Sequence, residues 1–464
     1  MTAASIAIAA DSDSIAGPRR AWAIASVLAA MVLVVLDAAI ANVALPTIGR
    51  SLHITPAEAV RVVTAYQLGL VMMLLPAAAL GESFGFRRVF VAGAALFTAA
   101  SALCATSPSL TWLIAARFLQ GVGGAAIMAL GIALLRFVVP HRQLGAAIGW
   151  NALTVALSSA AGPAVGAMIL SVTSWPWLFA VNLPIGAVVL LATRALPSLE
   201  GTRDRVDLLS VALNASVFAL LVVGAEWTPS SPALAVALFV CAAAVATMLV
   251  RRETNRSAPL VPLDLLKRPS FRVSVIASVL CFTGQAAALV ALPFHLQHTL
   301  ELTALMTGLY LTPWPLTVAL AGPIAGKLAD RVSTARLCLA GGIFLALGLA
   351  SIALWPSHAQ PLAVGFFTML CGLGFGFFNV PNNRNMFLSA PRERSGAAGG
   401  LQGLARLTGQ TAGAVIMTLL FELSPLDVAP RVGLALGAML ALAAGVTSLL
   451  RSGAPATETH EELR

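Results

Sequence analysis

Long apolar stretches, cut at short intervals by charge or by Pro/Gly clusters, dominate the chain from one end to the other. A bilayer core about 30 Å thick needs around 20 apolar residues per helix. Fourteen windows meet that length, at 21–45, 56–80, 88–106, 110–136, 143–170, 176–196, 207–226, 232–250, 271–294, 302–325, 336–355, 361–388, 394–421 and 428–450. The first follows Arg19 and Arg20 as a secretory leader would. It is too long for a leader's apolar region and has no small-residue cleavage site, so it reads as a spanning helix. The pattern therefore predicts an all-α integral membrane protein.

Composition sharpens this picture. Of 464 residues, 59% are hydrophobic and only 10% charged, too few to cover a water-facing surface. A large soluble enzyme is excluded, and so is intrinsic disorder. The net charge of +9 and pI near 10.3 raise the question of nucleic acid, which the placement of the charges answers. With the N-terminus inside, the inner segments collect nearly all the arginines and lysines, and the outer loops hold only Arg50, Arg61 and Arg431. That bias places both termini in the cytoplasm and the chain in the cell inner membrane. The basic charge is then topological: no nucleic-acid partner is implied, only contact with anionic membrane lipids. The five cysteines lie in apolar runs and read as small buried residues, with no metal-ligand spacing.

Two charged, Pro-containing stretches, 197–207 and 251–272, bracket two of the windows and leave six on either side. The expected organisation is a cytoplasmic tail (1–20), a six-helix bundle (21–196), a two-helix insert with its linkers (197–270), a second six-helix bundle (271–450) and a cytoplasmic tail (451–464). After the second helix of each bundle comes a similar inner loop. The first runs from Ala78 through Gly81, Glu82 and Phe86 to Arg87 and Arg88; the second reads Gly326-Lys327-Leu328-Ala329-Asp330-Arg331. Matched loops in two six-helix halves are the mark of a transporter built from repeats.

A charge inside the bilayer costs roughly 2.5–3.5 kcal/mol on insertion scales, so each one asks for a reason. Asp37 in the first window and Arg117 in the fourth are the clearest. Counted from the outer ends at about 1.5 Å per residue, they lie about 12 Å and about 10 Å deep, which lets them pair. Burial disfavours a charged carboxylate and a nearby guanidinium favours it. A change in their separation would load and release a proton, whereas a fixed pair would only hold helices together.

The run Asp37 to Pro46, with Thr64-Ala65-Tyr66-Gln67-Leu68 in the second window, resembles the signature of the fourteen-helix drug:proton antiporters of the major facilitator superfamily. Arg117 to Gly124 resembles that superfamily's fourth-helix motif, and the Gly162-Pro163 run its antiporter motif. Trp175 to Phe179 with Asn182 to Gly186 is similar to the sixth-helix entry, and Pro381 to Arg384 followed by Ala390 to Gly396 to the twelfth-helix exit. The sequence departs from the pattern at Ala78, Glu82, Phe86, Ser158, Ala167 and Ser333. The resemblance implies the major-facilitator fold, two six-helix bundles plus a two-helix insert, and export in exchange for protons. It implies proton coupling at Asp37 and Arg117, and gating by Glu82, Arg87, Arg88, Gly162, Pro163, Asp330 and Arg331. It also implies a central cavity, for which Tyr66, Gln67, Asn151, Gln285, Tyr310, Trp314, Phe378, Asn379 and Gln410 are the expected lining.

Two positions for Arg406 stay open, toward that cavity or snorkelling to the inner surface. His295, His298 and Glu301 read as solvated residues of an outer loop. No Walker loop, zincin sequence or nucleophile elbow is present, so neither an ATP-driven pump nor a hydrolase is expected. The expected protein is not an enzyme and takes no cofactor beyond the coupling proton. It is a monomeric secondary transporter for small amphipathic or cationic drugs, or else an exporter of one endogenous metabolite, lipid or siderophore. A transport-dead membrane sensor is the third reading.

Overall fold

The structure is a computed structural model that describes residues 17–140, 143–198, 201, 206–254, 260–356, 362–391 and 394–451. Apart from 17–20 and Arg451, the two expected tails lie outside the described residues. Each of the fourteen windows has its helix: α1 (Gly17–Leu52), α2 (Pro56–Phe84), α3 (Phe86–Ala105), α4 (Leu110–Val138), α5 (Leu144–Val172), α6 (Trp177–Ala195) and α7 (Leu208–Glu226). They continue with α8 (Pro232–Glu253), α9 (Pro269–Thr299), α10 (Ala304–Leu328), α11 (Thr334–Leu354), α12 (Leu362–Ser389), α13 (Ser395–Leu423) and α14 (Ala429–Leu450). No strand occurs among the described residues. With all backbone bonds inside the helices, each can lie in hydrocarbon without unsatisfied peptide groups.

Where helix and window differ, local chemistry gives the reason. α1 runs 36 residues, past Pro46, because a proline inside a helix forfeits one hydrogen bond without ending it. α6 is interrupted at Val181 and α10 at Thr312, just before Pro313. Between α2 and α3 the chain turns on Gly85 alone, at φ +99°, a backbone angle that a side chain would strain. Arg50, Arg61 and Arg431, expected in loops, are carried in the end turns of α1, α2 and α14.

The six helices on either side of the insert pack in one repeated scheme. In the first half α1 packs on α5 and α6, α2 on α4, and α3 on α4 and α6. In the second, α9 packs on α13 and α14, α10 on α12, and α11 on α12 and α14. The halves meet reciprocally: α2 lies on α13, α5 on α10, and α1 on α9, so the second helix of each half meets the fifth of the other. α7 and α8 form a pair whose first helix rests on both α2 and α13, with Asn214 Nδ2 donating to the Met72 carbonyl at 3.0 Å. The insert thus sits against the seam.

Candidate functional site

Close helix approach builds the site. A methyl group on Gly121 of α4 would collide with the Tyr66 carbonyl of α2, and one on Gly69 with the Phe118 carbonyl. Small residues there let the two backbones touch. This contact sets Arg117, one turn before Gly121, against the Tyr66 ring, with the guanidinium carbon 4.2 Å from the ring centroid. The Phe179 ring of α6 lies 5.4 Å away. From α1, Asp37 reaches the same point.

Asp37 Oδ2 accepts from Arg117 Nη1 at 2.5 Å, with both side chains at most 1% exposed. Its other oxygen, Oδ1, accepts from Gln120 Nε2 at 2.9 Å and from Asn182 Nδ2 at 2.7 Å. Gln120 in turn donates to Ser101 Oγ at 2.8 Å and accepts from Arg117 Nη1 at 2.6 Å. Arg117 Nε donates to the Val62 carbonyl at 3.4 Å, and Nη2 has no partner. Five helices of the first half therefore join one network, in which α1 supplies the carboxylate and α4 and α6 its donors. A charge so buried persists only where its attraction and hydrogen bonds offset desolvation. Protonating Asp37 would remove the counter-charge of Arg117, already short of one partner. The network is in this sense a charge-sensitive joint.

Sequence reasoning named the pair but gave Gln120, Asn182 and Ser101 no role. Gln120 had a visible signal, since three residues after Arg117 it shares that helix face. Asn182 opened the Asn182 to Gly186 run without a role of its own, and Ser101 had no signal beyond being polar within an apolar window.

The expected cavity residues divide into two groups. Tyr66, Trp314 and Phe378 are buried, Tyr66 on Arg117 and the other two in an apolar cluster to which both halves contribute. Gln67, Gln285, Tyr310, Asn379 and Gln410 are partly exposed, and Asn151 is buried at 7%. Gln67 Oε1 and Asn151 Oδ1 are buried without hydrogen-bond partners.

The gating residues fall at two levels. At the basic end, Glu82 and Arg88 are exposed and Arg87 partly so, around the Gly85 turn. Asp330 accepts from Arg384 Nη2 at 2.7 Å, while Arg384 Nη1 donates to the Ala329 carbonyl at 2.6 Å, tying α10 to α12 within one half. Arg331 is exposed. Gly162 of α5 packs on Ala39 of α1, and the Pro163 carbonyl packs on Gly308 of α10, so this motif lies on the seam between halves.

The opposite end is bridged by contacts across that seam. Arg50 Nη2 donates to Gln297 Oε1 at 3.2 Å, Gln297 Nε2 to the Val43 carbonyl at 3.4 Å, and Arg61 pairs with Glu422 at 3.0 Å. The expected outer-loop cluster is corrected here. His295 is fully buried, because α9 continues through a π-turn over His295–Thr299 and keeps the imidazole inside the bundle. Only His298 and Glu301 are exposed, and no group of three possible metal ligands occurs among the described residues.

Comparison with known proteins agrees with this architecture. The Major Facilitator Superfamily profile matches residues 27–414 and 274–460. The uncharacterized transporter YebQ of Escherichia coli (strain K12) is 42% identical over 96% of this chain and 98% of its own length. The riboflavin transporter RibZ of Clostridioides difficile (strain 630) is 31% identical, covering 78% of this chain and 80% of that protein. The multidrug resistance protein Stp of Mycobacterium tuberculosis (strain CDC 1551 / Oshkosh) is also 31% identical, over 83% and 73%. By fourteen apolar helices, duplicated packing and these likenesses, the chain is a multi-pass membrane transporter that belongs to the Major Facilitator Superfamily.

Proposed function

We propose that the protein is a proton-coupled antiporter of the cell inner membrane, with both termini cytoplasmic, exporting small amphipathic compounds by alternating access. The observation that carries this reading is the buried Asp37–Arg117 pair, held by Gln120 and Asn182 inside the first half. A proton arriving from outside binds Asp37, the pair loses its attraction, and the half repacks against its partner. Release of that proton inside restores the pair. The driving force is about 1.4 kcal/mol per pH unit plus about 2.3 kcal/mol per charge per 100 mV. Glu82, Arg87, Arg88, Asp330 and Arg331 act at the inner end when the outer end opens. The protein works as a monomer among anionic lipids.

The likeness to Stp supports a broad substrate range, and the likeness to RibZ favours a second reading, export of a single metabolite. Proteoliposomes with an imposed pH gradient, loaded with cationic or anionic dyes, test both. Gradient-driven dye movement in the wild type, lost in a folded Asp37→Asn variant, is the expected result. Equal movement in both contradicts the assignment of coupling to α1. Competition by one compound class alone selects the metabolite exporter.

A further inference from the structure

Three charged residues of the described helices lie seven or more residues from both helix ends: Asp37, Arg117 and Arg406. The first two neutralise each other. Arg406 lies on α13, eleven residues from its start at Ser395, so about 16 Å in from the basic end. No carboxylate pairs with it among the described residues: its one described hydrogen bond runs from Nη2 to Met128 Sδ at 4.0 Å, Tyr66 is its neighbour on α2, and its Nε is buried without a partner. A guanidinium carries five donors, and a thioether is too weak an acceptor to hold them.

Its position explains what would. Met128 belongs to α4 of the other half, so Arg406 reaches across the seam. One turn earlier on α13, Gly403 faces Leu74 of α2, and one turn later comes Gln410. On α2, Gln67 lies two turns from Leu74 on the same face, with its Oε1 buried and unpartnered. An unpaired cation, two amides and an apolar surround thus share the seam where α2 meets α13. An intramembrane charge without a counter-ion marks a ligand path.

We propose that Arg406 is the binding site for the anionic group of the cargo, and that the transported compounds are amphipathic organic anions carrying a carboxylate, sulfonate or phosphate on an apolar body. The proposal rests on the transporter reading above and assigns its substrate class. Among the described residues cationic cargo has no free acidic partner at this depth, since the single deep carboxylate there, Asp37, is held by Arg117. Arginine suits the task because its planar fork takes such groups through two parallel hydrogen bonds.

The test is equilibrium binding to the purified full chain in nanodiscs, with fluorescein as the anionic probe and ethidium as the cationic one. No gradient is applied, so a failure of proton coupling leaves this result unaffected. Arg406→Gln is expected to weaken fluorescein binding by roughly tenfold or more, Arg406→Lys by less, and ethidium binding by neither. Met128→Glu, which offers Arg406 a carboxylate across the seam, is expected to exclude fluorescein and serves if the glutamine variant does not fold. Equal fluorescein affinity in wild type and Arg406→Gln overturns the proposal, as does an equal loss for both dyes. Failure of the wild type to bind any of fluorescein, cholate and riboflavin phosphate overturns it too.

Discussion

The carboxylate of Asp37 and the guanidinium of Arg117, 80 residues apart in the chain, meet at 2.5 Å in a place that no solvent reaches. Removing one partner strands the other as a buried charge, a loss of about 3–5 kcal/mol for such pairs. Asp37→Ala is therefore expected to cut the yield and lower the melting temperature of detergent-solubilised protein. Asp37→Asn with Arg117→Gln, which removes both charges, should recover much of that stability while remaining inactive. A double variant no more stable than Asp37→Ala contradicts the pairing argument.

Gln120 and Asn182 each donate to the carboxylate, and a hydrogen bond to a charged group is worth about 1.5–3 kcal/mol. Asn182→Ala should thus destabilise the first half by about 1.5–3 kcal/mol, read as a lower melting temperature of detergent-solubilised protein. An unchanged melting temperature would mean that the bond from Asn182 holds nothing.

Arg61 and Glu422 join the halves at the opposite end from the termini, with side chains 31% and 23% exposed. A partly solvated pair of this kind contributes about 1 kcal/mol or less. Arg61→Gln is expected to raise the open population of that end a few-fold, read as a longer distance between spin labels. The exchanged pair, Arg61→Glu with Glu422→Arg, should restore the short distance. Unchanged distances in the single variant would mean that the apolar seam alone holds the closure.

Gly121 has the Tyr66 carbonyl where a side chain would begin. Gly121→Val should push α4 from α2 and destabilise the protein by about 1–3 kcal/mol, as overpacking does. Because the same contact positions Arg117, transport should fall more steeply than yield. A variant with full transport would show that α4 need not touch α2 there.

How far the chain could be read in advance followed from how local each signal was. Apolar length is local, and all fourteen helices were visible, most ends within a few residues and the end of α1 seven residues short. Asp37 and Arg117 were visible because charge inside an apolar window is rare. The role of Asn182, though it opens the run to Gly186, was not, because its neutral amide gains meaning only when α6 brings it to Asp37. His295 was placed in a loop because Gln297, His298 and Thr299 make that stretch polar, yet the π-turn keeps its side chain inside. The orientation of Arg406, left open by the sequence, depended on the register of α13 against α4 of the other half.

Substrate-linked proton release tests the central claim most directly. Purified protein in weakly buffered detergent, near the pH where transport is half-maximal, is mixed with a transported compound while a dye reports the pH. Wild type should release protons in proportion to the protein present, and Asp37→Asn should release none although it still binds the compound. Equal release by the two, or none from a wild type that binds and transports, would contradict proton exchange at Asp37.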